Sequence, residues 1–151
     1  MAAALLFGPG LMHRREQPSG AKPVVIGHRG SVYGVENTEQ ALRSAVEAGA
    51  DLLEIDVLLS ADGVPVVCHD NNLKRLAGID MEIANTTIAN LNDIQLSQNG
   101  YQSELMTLEQ AIKYADGHNR VLVEPKPPYG PDMQLVVKVM EVAKATGKMG
   151  N

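Results

Sequence analysis

Two carboxylates, those of Glu54 and Asp56, stand two residues apart in the apolar run 51–57. If this run is a β-strand, both side chains point to the same face, because side chains alternate between faces along a strand. Two ionised carboxylates side by side are stable only when a proton or a cation lies between them. The pair predicts either a divalent metal site or, as is more common for an isolated Glu-x-Asp, a half-exposed strand whose polar face meets water.

Polar and charged side chains also occur at the ends of the other predicted strands. The full set is His28 and Arg29 after residues 23–27, Glu54 and Asp56 within 51–59, His69 and Asp70 after 64–68, and Glu124 and Lys126 after 121–123. In parallel α/β architectures the C-terminal ends of the strands form one face, and sites are built there from several strands. The coincidence of four such strands favours a shared functional site over four unrelated structural residues.

The acidic members of this set predict a hard, oxygen-seeking cation. Glu54, Asp56 and Glu124 offer the carboxylate oxygens that Mg²⁺ or Ca²⁺ prefers. Nothing in the sequence has the Cys and His spacing of a structural zinc site.

The remaining members predict proton transfer and anion binding. His28 and His69 can divide the acid and base roles, because imidazole titrates near neutral pH. Arg29 and Lys126 can hold an anion, Arg through a forked contact and Lys as a point charge. A metal, two imidazoles and two cations together describe cleavage of a phosphoryl ester. Taken alone, His69 could equally be a hydrogen-bonded histidine at a strand boundary.

The elements that must position these residues follow a strand and helix alternation. The apolar patterns predict strands at 23–27, 51–59, 64–68 and 121–123, and helices at 37–49, 86–96, 107–115 and about 132–146. Residues 23–27 suit a strand buried on both faces, and Asn37 is placed as a helix N-cap. Residues 71–84 are predicted to be irregular, and 116–119, which include His118, to form a turn. The short link 61–63 favours a hairpin, although both flanking runs are apolar enough for sheet-core strands.

Composition restricts the class of protein. The chain has 151 residues, 44% of them hydrophobic, which suits one globular domain. The formal net charge of −5 argues against nucleic acid as a partner. Cys68 is the one cysteine, so an internal disulfide is excluded. The oligomeric state is left open.

The N-terminal residues 1–22 are predicted to be a tail or linker, and 23–151 a partial catalytic domain. The apolar start, Ala2 to Phe7, is shorter than the roughly 20 residues that span a bilayer. Its basic residues follow the apolar run, opposite to their order in a signal peptide. The segment is either a plain start or the remnant of a longer membrane segment, and a cytoplasmic or membrane-associated location is expected.

With these residues in view, the chain resembles the glycerophosphodiester phosphodiesterase family. The resemblance rests on five ordered motifs: G-H-R-G at 27–30, E-N-T at 36–38, G-A-D with E-I-D at 49–56, D-G-V-P-V-V-C-H-D at 62–70, and E-P-K at 124–126. It implies metal-dependent hydrolysis of small glycerophosphodiesters to glycerol 3-phosphate and an alcohol. The stretch 72–78 and the tail are most similar to members with a membrane domain upstream.

The resemblance also implies a role for each matched residue. It assigns Glu54, Asp56 and Glu124 to the metal, His28 and His69 to acid and base, and Arg29, Glu36 and Lys126 to the substrate, with Arg29 and Lys126 on the phosphate and Glu36 near the metal and the glycerol end.

The implied fold is a (β/α)8 TIM barrel, of which only about the first four βα units can be recognised, since a complete barrel takes about 250 residues. Half a barrel exposes a long parallel edge. The alternative hypothesis is therefore a truncated, catalytically silent half-barrel that acts at most as a binding or structural module. A second departure is Pro125, which removes a ladder N–H and is expected to disturb the placement of Glu124.

Overall fold

A computed structural model of the chain describes residues 22–115 and 120–147. Its strands are β1 Ile26–His28, β2 Leu52–Leu59, β3 Pro65–Val67, β4 Gln95–Gln98, β5 Tyr101–Glu104, β6 Met106–Thr107 and β7 Arg120–Pro125. Its α-helices are α1 Glu39–Glu47, α2 Lys74–Ala77, α3 Ile88–Leu91, α4 Leu108–Ala115 and α5 Met133–Ala145, and a 3-10 turn spans Ile83–Asn85. The predicted tail up to residue 21 and the predicted turn at 116–119, with His118, lie outside the described residues.

The main sheet is built around β2. Strands β1 and β7 both pair with β2 in parallel, and the register places His28 opposite Glu54 and Glu124 opposite Asp56. The C-terminal ends of β1 and β7 therefore lie level with the middle of β2. This is the level at which β2 carries its two carboxylates. The predicted α/β class is confirmed.

The predicted third strand runs in the opposite direction to the others. β3 pairs antiparallel with the last part of β2, with Val57 opposite Val67. A tight turn causes the reversal: the Ser60 hydroxyl accepts from Val64 N at 3.0 Å, and Gly63 has φ +76°, which favours glycine. Among the described strands, β1 and β7 pair in parallel with β2 and β3 does not, so the prediction of four βα units is wrong in counting β3 among them.

Hydrophobic residues pack on both sides of this arrangement. One core cluster joins β2 to helices α1, α4 and α5, and a second lies beneath β3 and the segment that follows it. β2 is buried along its six central residues. β1 and the two residues before it are different, because Val24, Val25 and Ile26 are 59%, 49% and 47% exposed. The prediction of a strand buried on both faces is wrong here, since β1 pairs only with β2 among the described strands.

Helices α1, α4 and α5 form close to their predicted positions. Asp132 caps α5 by accepting from the backbone of Gln134 and Leu135. Thr107 and Gln110 cap α4 reciprocally, each side chain accepting from the other residue's backbone N–H. For α1, however, the N-cap is Thr38. Asn37 was expected in that role, and its side chain is used elsewhere.

The predicted helix at 86–96 is wrong beyond its first turn. Helix α3 ends at Leu91, and the next residues form the antiparallel β4–β5 hairpin. Asn99 and Gly100 make the hairpin turn with φ of +53° and +83°, the conformation that Asn-Gly pairs favour in tight hairpins. No helix in the described ranges has the length and apolar character needed to cross a bilayer.

Candidate active site

The turn after β1 brings the first two site residues to the sheet. Gly30 N donates to Gly27 O at 3.2 Å, and both Arg29 and Gly30 have positive φ, +56° and +88°. A Cβ on Gly30 would lie 2.5 Å from the backbone of Ala41. Glycine is therefore required for α1 to pack this closely against the turn. The turn directs the backbone N–H of Arg29 to Glu54 Oε2, at 2.9 Å.

Three carboxylates meet in the centre of the sheet. Glu54, Asp56 and Glu124 each offer an oxygen, and these oxygens lie within 4.8 Å of one another; we call this set the acidic cluster. Glu54 is 6% exposed and Asp56 is fully buried. Glu54 Oε1 and Asp56 Oδ1 are buried and accept no hydrogen bond from the residues that the structure describes. Buried unpaired carboxylate oxygens are costly, and a hard divalent cation is the ligand that would satisfy them.

The electrostatics of the acidic cluster agree with this geometry. Burial raises the pKa of Glu54, and the charges of Asp56 and Glu124 raise it further, against the opposing hydrogen bond from Arg29 N. The ammonium group of Lys126 and the guanidinium group of Arg29 partly compensate the negative charge of the acidic cluster. Lys126 Nζ lies 2.7 Å from Glu124 Oε1 and 3.5 Å from Asp56 Oδ1. Arg29 Nε lies 3.1 Å from Asp56 Oδ2, close enough for charge attraction although the N–H is not aligned for a hydrogen bond.

Pro125 does not displace Glu124 from the acidic cluster. Lys126 N, the next amide of the strand, donates to Val57 O on β2 at 2.8 Å. Backbone N–H groups alternate in direction along a strand, so the position where proline lacks an N–H faces away from β2. The expectation that Pro125 would disturb the placement of Glu124 is therefore wrong.

Asn37 holds Asp56 in place. Its Nδ2 donates to Asp56 Oδ2 at 2.9 Å, and its Oδ1 accepts from Asp56 N at 3.1 Å. Asn37 is 2% exposed and has φ +59°, a conformation that Asn adopts more readily than most residues. The motif E-N-T could have suggested a site residue here. The helix-cap interpretation concealed it.

The two histidines approach the site from different strands. His28 Nε2 lies 3.9 Å from Glu54 Oε2, and its side chain is 69% exposed. His69 follows Cys68, whose backbone N–H donates to Asp56 O at 3.0 Å, so the hairpin returns the chain to the level of the acidic cluster. His69 Nδ1 lies 2.6 Å from Asp70 Oδ1. We expected His69 to follow a parallel strand, but the strand that it follows, β3, is antiparallel to β2.

Glu36 is the centre of a second network. Its oxygens accept from Arg29 Nη1 at 3.2 Å, from Arg75 Nη2 and Nη1 at 2.6 and 3.0 Å, and from Gln98 Nε2 at 2.8 Å. Burial disfavours the ionised form, but the hydrogen bonds from Arg75 and Gln98 outweigh it and lower the pKa to about 2. Arg75 and Gln98 were not among the predicted site residues, and no local signal marked Gln98.

The structure thus brings the predicted residues other than His69 into one directly connected region, and His69 contacts Asp70. The acidic cluster forms directly, Arg29 and Lys126 contact it, and His28 lies beside Glu54. Glu36 connects to the acidic cluster through Arg29. Such a region defines an α/β protein with a candidate divalent cation site flanked by imidazole and basic side chains.

The chain belongs to the glycerophosphoryl diester phosphodiesterase family, whose model matches residues 27–146. The resemblance inferred from the motifs is confirmed. Among curated proteins, the chain is 39% identical over 80 residues to a glycerophosphoinositol inositolphosphodiesterase of Homo sapiens, covering 52% of this chain and 14% of that protein. It is 36% identical over 80 residues to a lysophospholipase D of Homo sapiens, covering 53% and 26%.

Solved structures show the same likeness. A phosphodiesterase of Oleispira antarctica, in complex with the product sn-glycerol-3-phosphate, matches with a TM-score of 0.73 and 33% identity, over 81% of this chain and 52% of that one. A glycerophosphodiester phosphodiesterase of Thermotoga maritima matches with a TM-score of 0.70 and 34% identity, over 83% and 51%. The chain spans about half the length of these two structures and a smaller share of the two curated relatives.

Proposed function

We propose that this chain carries the cation site and the acid–base groups of an enzyme that hydrolyses glycerophosphodiesters to glycerol 3-phosphate and an alcohol. One observation carries the proposal: in a chain of this family, the acidic cluster has two buried carboxylate oxygens that accept no hydrogen bond from the described residues. The solved relative that holds sn-glycerol-3-phosphate supports this choice of product.

Glu54, Asp56 and Glu124 would hold the divalent cation, Mg²⁺ or Ca²⁺. The donor set fits a hard cation, because it consists of carboxylate oxygens without sulfur or imidazole. When bound, such a cation neutralises negative charge that develops on the phosphoryl oxygens. It would also offset the mutual repulsion that raises the pKa of Glu54.

His28 and His69 would share proton transfer, one activating water or the neighbouring glycerol hydroxyl and the other protonating the leaving alkoxide. His28 is open to solvent on one side and faces Glu54 on the other. Arg29 and Lys126 would bind the phosphate. Both already lie against the acidic cluster, so they are held where an anion would be neutralised.

Glu36 would face the glycerol end of the substrate and keep Arg29 oriented through its contact with Nη1. An acceptor of low pKa is suited to both tasks, because it stays ionised at neutral pH.

For the whole protein we propose the TIM-barrel architecture, with β1, β2 and β7 as consecutive barrel strands. Their shared parallel register and the site at their C-terminal ends support this assignment. Residues 23–151 would be the part of that domain carried by this chain, with 1–22 a tail or linker.

The test is release of glycerol 3-phosphate from glycerophosphocholine by the 151-residue chain, with Mg²⁺ or Ca²⁺ added. We expect turnover that chelation abolishes, and a decrease of about 10²-fold or more for His28→Ala, as for loss of a general acid or base. Glu47→Ala, an exposed carboxylate on α1, serves as the control and should retain turnover. Undiminished activity in His28→Ala, or in the presence of chelator, would refute the proposal.

A second candidate is a catalytically silent half-barrel that acts at most as a binding or structural module. The exposed apolar residues Val24, Val25 and Ile26 favour it, because they lie beside an edge of β1 that no described strand pairs with. Hydrogen exchange and a melting curve separate the two candidates. Cooperative unfolding together with turnover would exclude the silent fragment.

A further inference from the structure

A single guanidinium, that of Arg75, connects two of the networks around the site. Arg75 lies on α2, in the segment that follows β3. Its Nη1 and Nη2 donate to the two carboxylate oxygens of Glu36, and its Nε donates to Asp70 Oδ2 at 2.6 Å. All three guanidinium nitrogens are therefore engaged. Only arginine can contact two carboxylates in this forked arrangement, because its donors are fixed in one plane.

Asp70 transmits the contact to His69. The carboxylate uses Oδ2 for Arg75 and Oδ1 for His69 Nδ1, each at 2.6 Å. Burial disfavours the ionised form of Asp70, yet the hydrogen bonds from Arg75 and His69 outweigh it and lower the pKa. An ionised carboxylate can only accept, so Nδ1 must carry the ring proton and Nε2 is the nitrogen left able to accept one.

The two ends of this connection differ in how many other partners they have. Without Arg75, Glu36 would keep its contacts with Arg29 and Gln98. The Asp70 carboxylate would keep only His69 among the contacts described for it. The loss of Arg75 should therefore disturb His69 more than Arg29.

We propose that Arg75 is a positioning residue that, through Asp70, fixes the orientation and tautomer of His69, which follows β3. The inference rests on the proposed function, since it assigns a role in preparing one of the two acid–base imidazoles. Arg75 itself touches neither the acidic cluster nor His69 in the contacts described.

The test compares Arg75→Met and Arg75→Lys with wild type, using ¹⁵N spectra of the histidine rings of the full chain. His69→Gln identifies the signals of His69. We expect wild type to show the Nδ1–H tautomer, and the ratio of this tautomer to the Nε2–H form to fall by roughly tenfold in Arg75→Met. Arg75→Lys should restore the ratio in part, because Lys keeps the charge and lacks the fork.

Arg43→Met is the matched control. Arg43 pairs on the helix surface with Glu39, and its loss should leave His69 unchanged. If Arg75→Met does not fold, Arg75→Lys alone gives the readout, with a smaller fall in the ratio expected. An unchanged tautomer ratio in the folded variant would overturn the inference, whatever the turnover.

Turnover separates this inference from the proposed function. In a chain that hydrolyses glycerophosphocholine, Arg75→Met should lower kcat with little change in KM, because an imidazole that donates or accepts protons is misplaced. A merely structural residue would lower the melting temperature and the active fraction instead. If the tautomer ratio changes in Arg75→Met but the wild-type chain shows no turnover, the role of Arg75 in placing His69 is supported and the proposed function is not.

Discussion

At the scale of single residues, Asn37 is the side chain that ties the acidic cluster to the backbone. Its side-chain amide donates a hydrogen bond to the Asp56 carboxylate and accepts one from the Asp56 backbone N–H. Outer partners of this kind orient a metal ligand, and their loss typically lowers metal affinity by about 10–100-fold. Two of the site oxygens already accept no hydrogen bond within the part of the chain that the structure describes. The site is therefore sensitive to the loss of one more hydrogen bond.

We expect Asn37→Ala to weaken Mg²⁺ or Ca²⁺ binding by about 10–100-fold, measured by calorimetric titration. The variant should also lose about 1–3 kcal/mol of stability from the unpaired Asp56 N–H, in addition to strain at φ +59°. Asn37→Gly separates the two costs, because glycine relieves the strain and restores no hydrogen bond. Both variants should bind the cation equally weakly. Wild-type affinity in either would contradict this role of Asn37.

Residue types could be inferred from the sequence, but their partners could not. The spacing of Glu54 and Asp56 predicted a shared face, and the structure confirms that they meet Glu124 there. Asn37 was predicted only as a helix cap. Arg75 and Gln98 were not predicted because Glu36, the partner that they share, is distant in sequence: it lies 39 residues from Arg75 and 62 from Gln98. Only the tertiary fold selects such partners.

At the scale of elements, α1 approaches the turn after β1 so closely that glycine determines the geometry of the site. Both Gly30 and Gly49 have positive φ, +88° and +84°. They differ in their surroundings, since a Cβ on Gly49 would meet nothing within 4 Å. A comparison of alanine substitutions at Gly30 and Gly49 therefore separates the cost of backbone strain from the cost of steric conflict.

Gly49→Ala should cost about 1–2 kcal/mol, the strain of a left-handed conformation. Gly30→Ala should cost clearly more, because the new Cβ would lie 2.5 Å from the backbone of Ala41 and α1 or the turn must move. The turn carries Arg29, so cation affinity should fall in Gly30→Ala and remain in Gly49→Ala. Urea unfolding and cation titration measure both effects. Equal stability losses would show that no steric conflict exists.

Element types were predictable where a long periodic pattern existed. Helices α1, α4 and α5 and strands β2 and β7 follow their hydrophobic patterns. The short link 61–63 favoured the antiparallel hairpin that β3 forms, but the apolar runs on either side also suited core strands, so the direction of β3 stayed open. The predicted helix was wrong over 92–96, since Ile94 and Leu96 suited helical spacing, although Asn99-Gly100 carried the hairpin signal.

At the scale of the whole molecule, Glu36 joins three parts that are separate in the sequence. It lies in the loop after β1, binds Arg75 in the segment after β3, and is held by Gln98 at the end of β4, where its own backbone N–H also donates to Gln98 Oε1 at 2.8 Å. Glu36 therefore attaches the β4–β5 hairpin to the site through both its carboxylate and its backbone N–H. Protonation of that carboxylate should loosen the attachment.

Glu36 makes the stability of the chain depend on acid pH in a defined direction. Its pKa is lowered from 4.5 to about 2 in the folded chain, so the ionised form favours folding. This contribution is fully present above 4.5 and is lost as pH falls through that value towards about 2. Its size should be on the order of 1–2 kcal/mol, below the full linkage value, because Arg75 is partly exposed and solvent screens the pair.

Wild type should therefore lose more free energy of unfolding than Glu36→Gln over this acid range, measured by urea unfolding at a series of pH values. Hydrogen exchange should show the β4–β5 hairpin opening in wild type at low pH and already at neutral pH in Glu36→Gln, because the amide cannot hold the two arginines as an anion does. Glu39→Gln removes an exposed carboxylate three residues away and should keep the wild-type profile. If Glu36→Gln had the same acid dependence as wild type, the coupling of the hairpin to the site through Glu36 would be wrong.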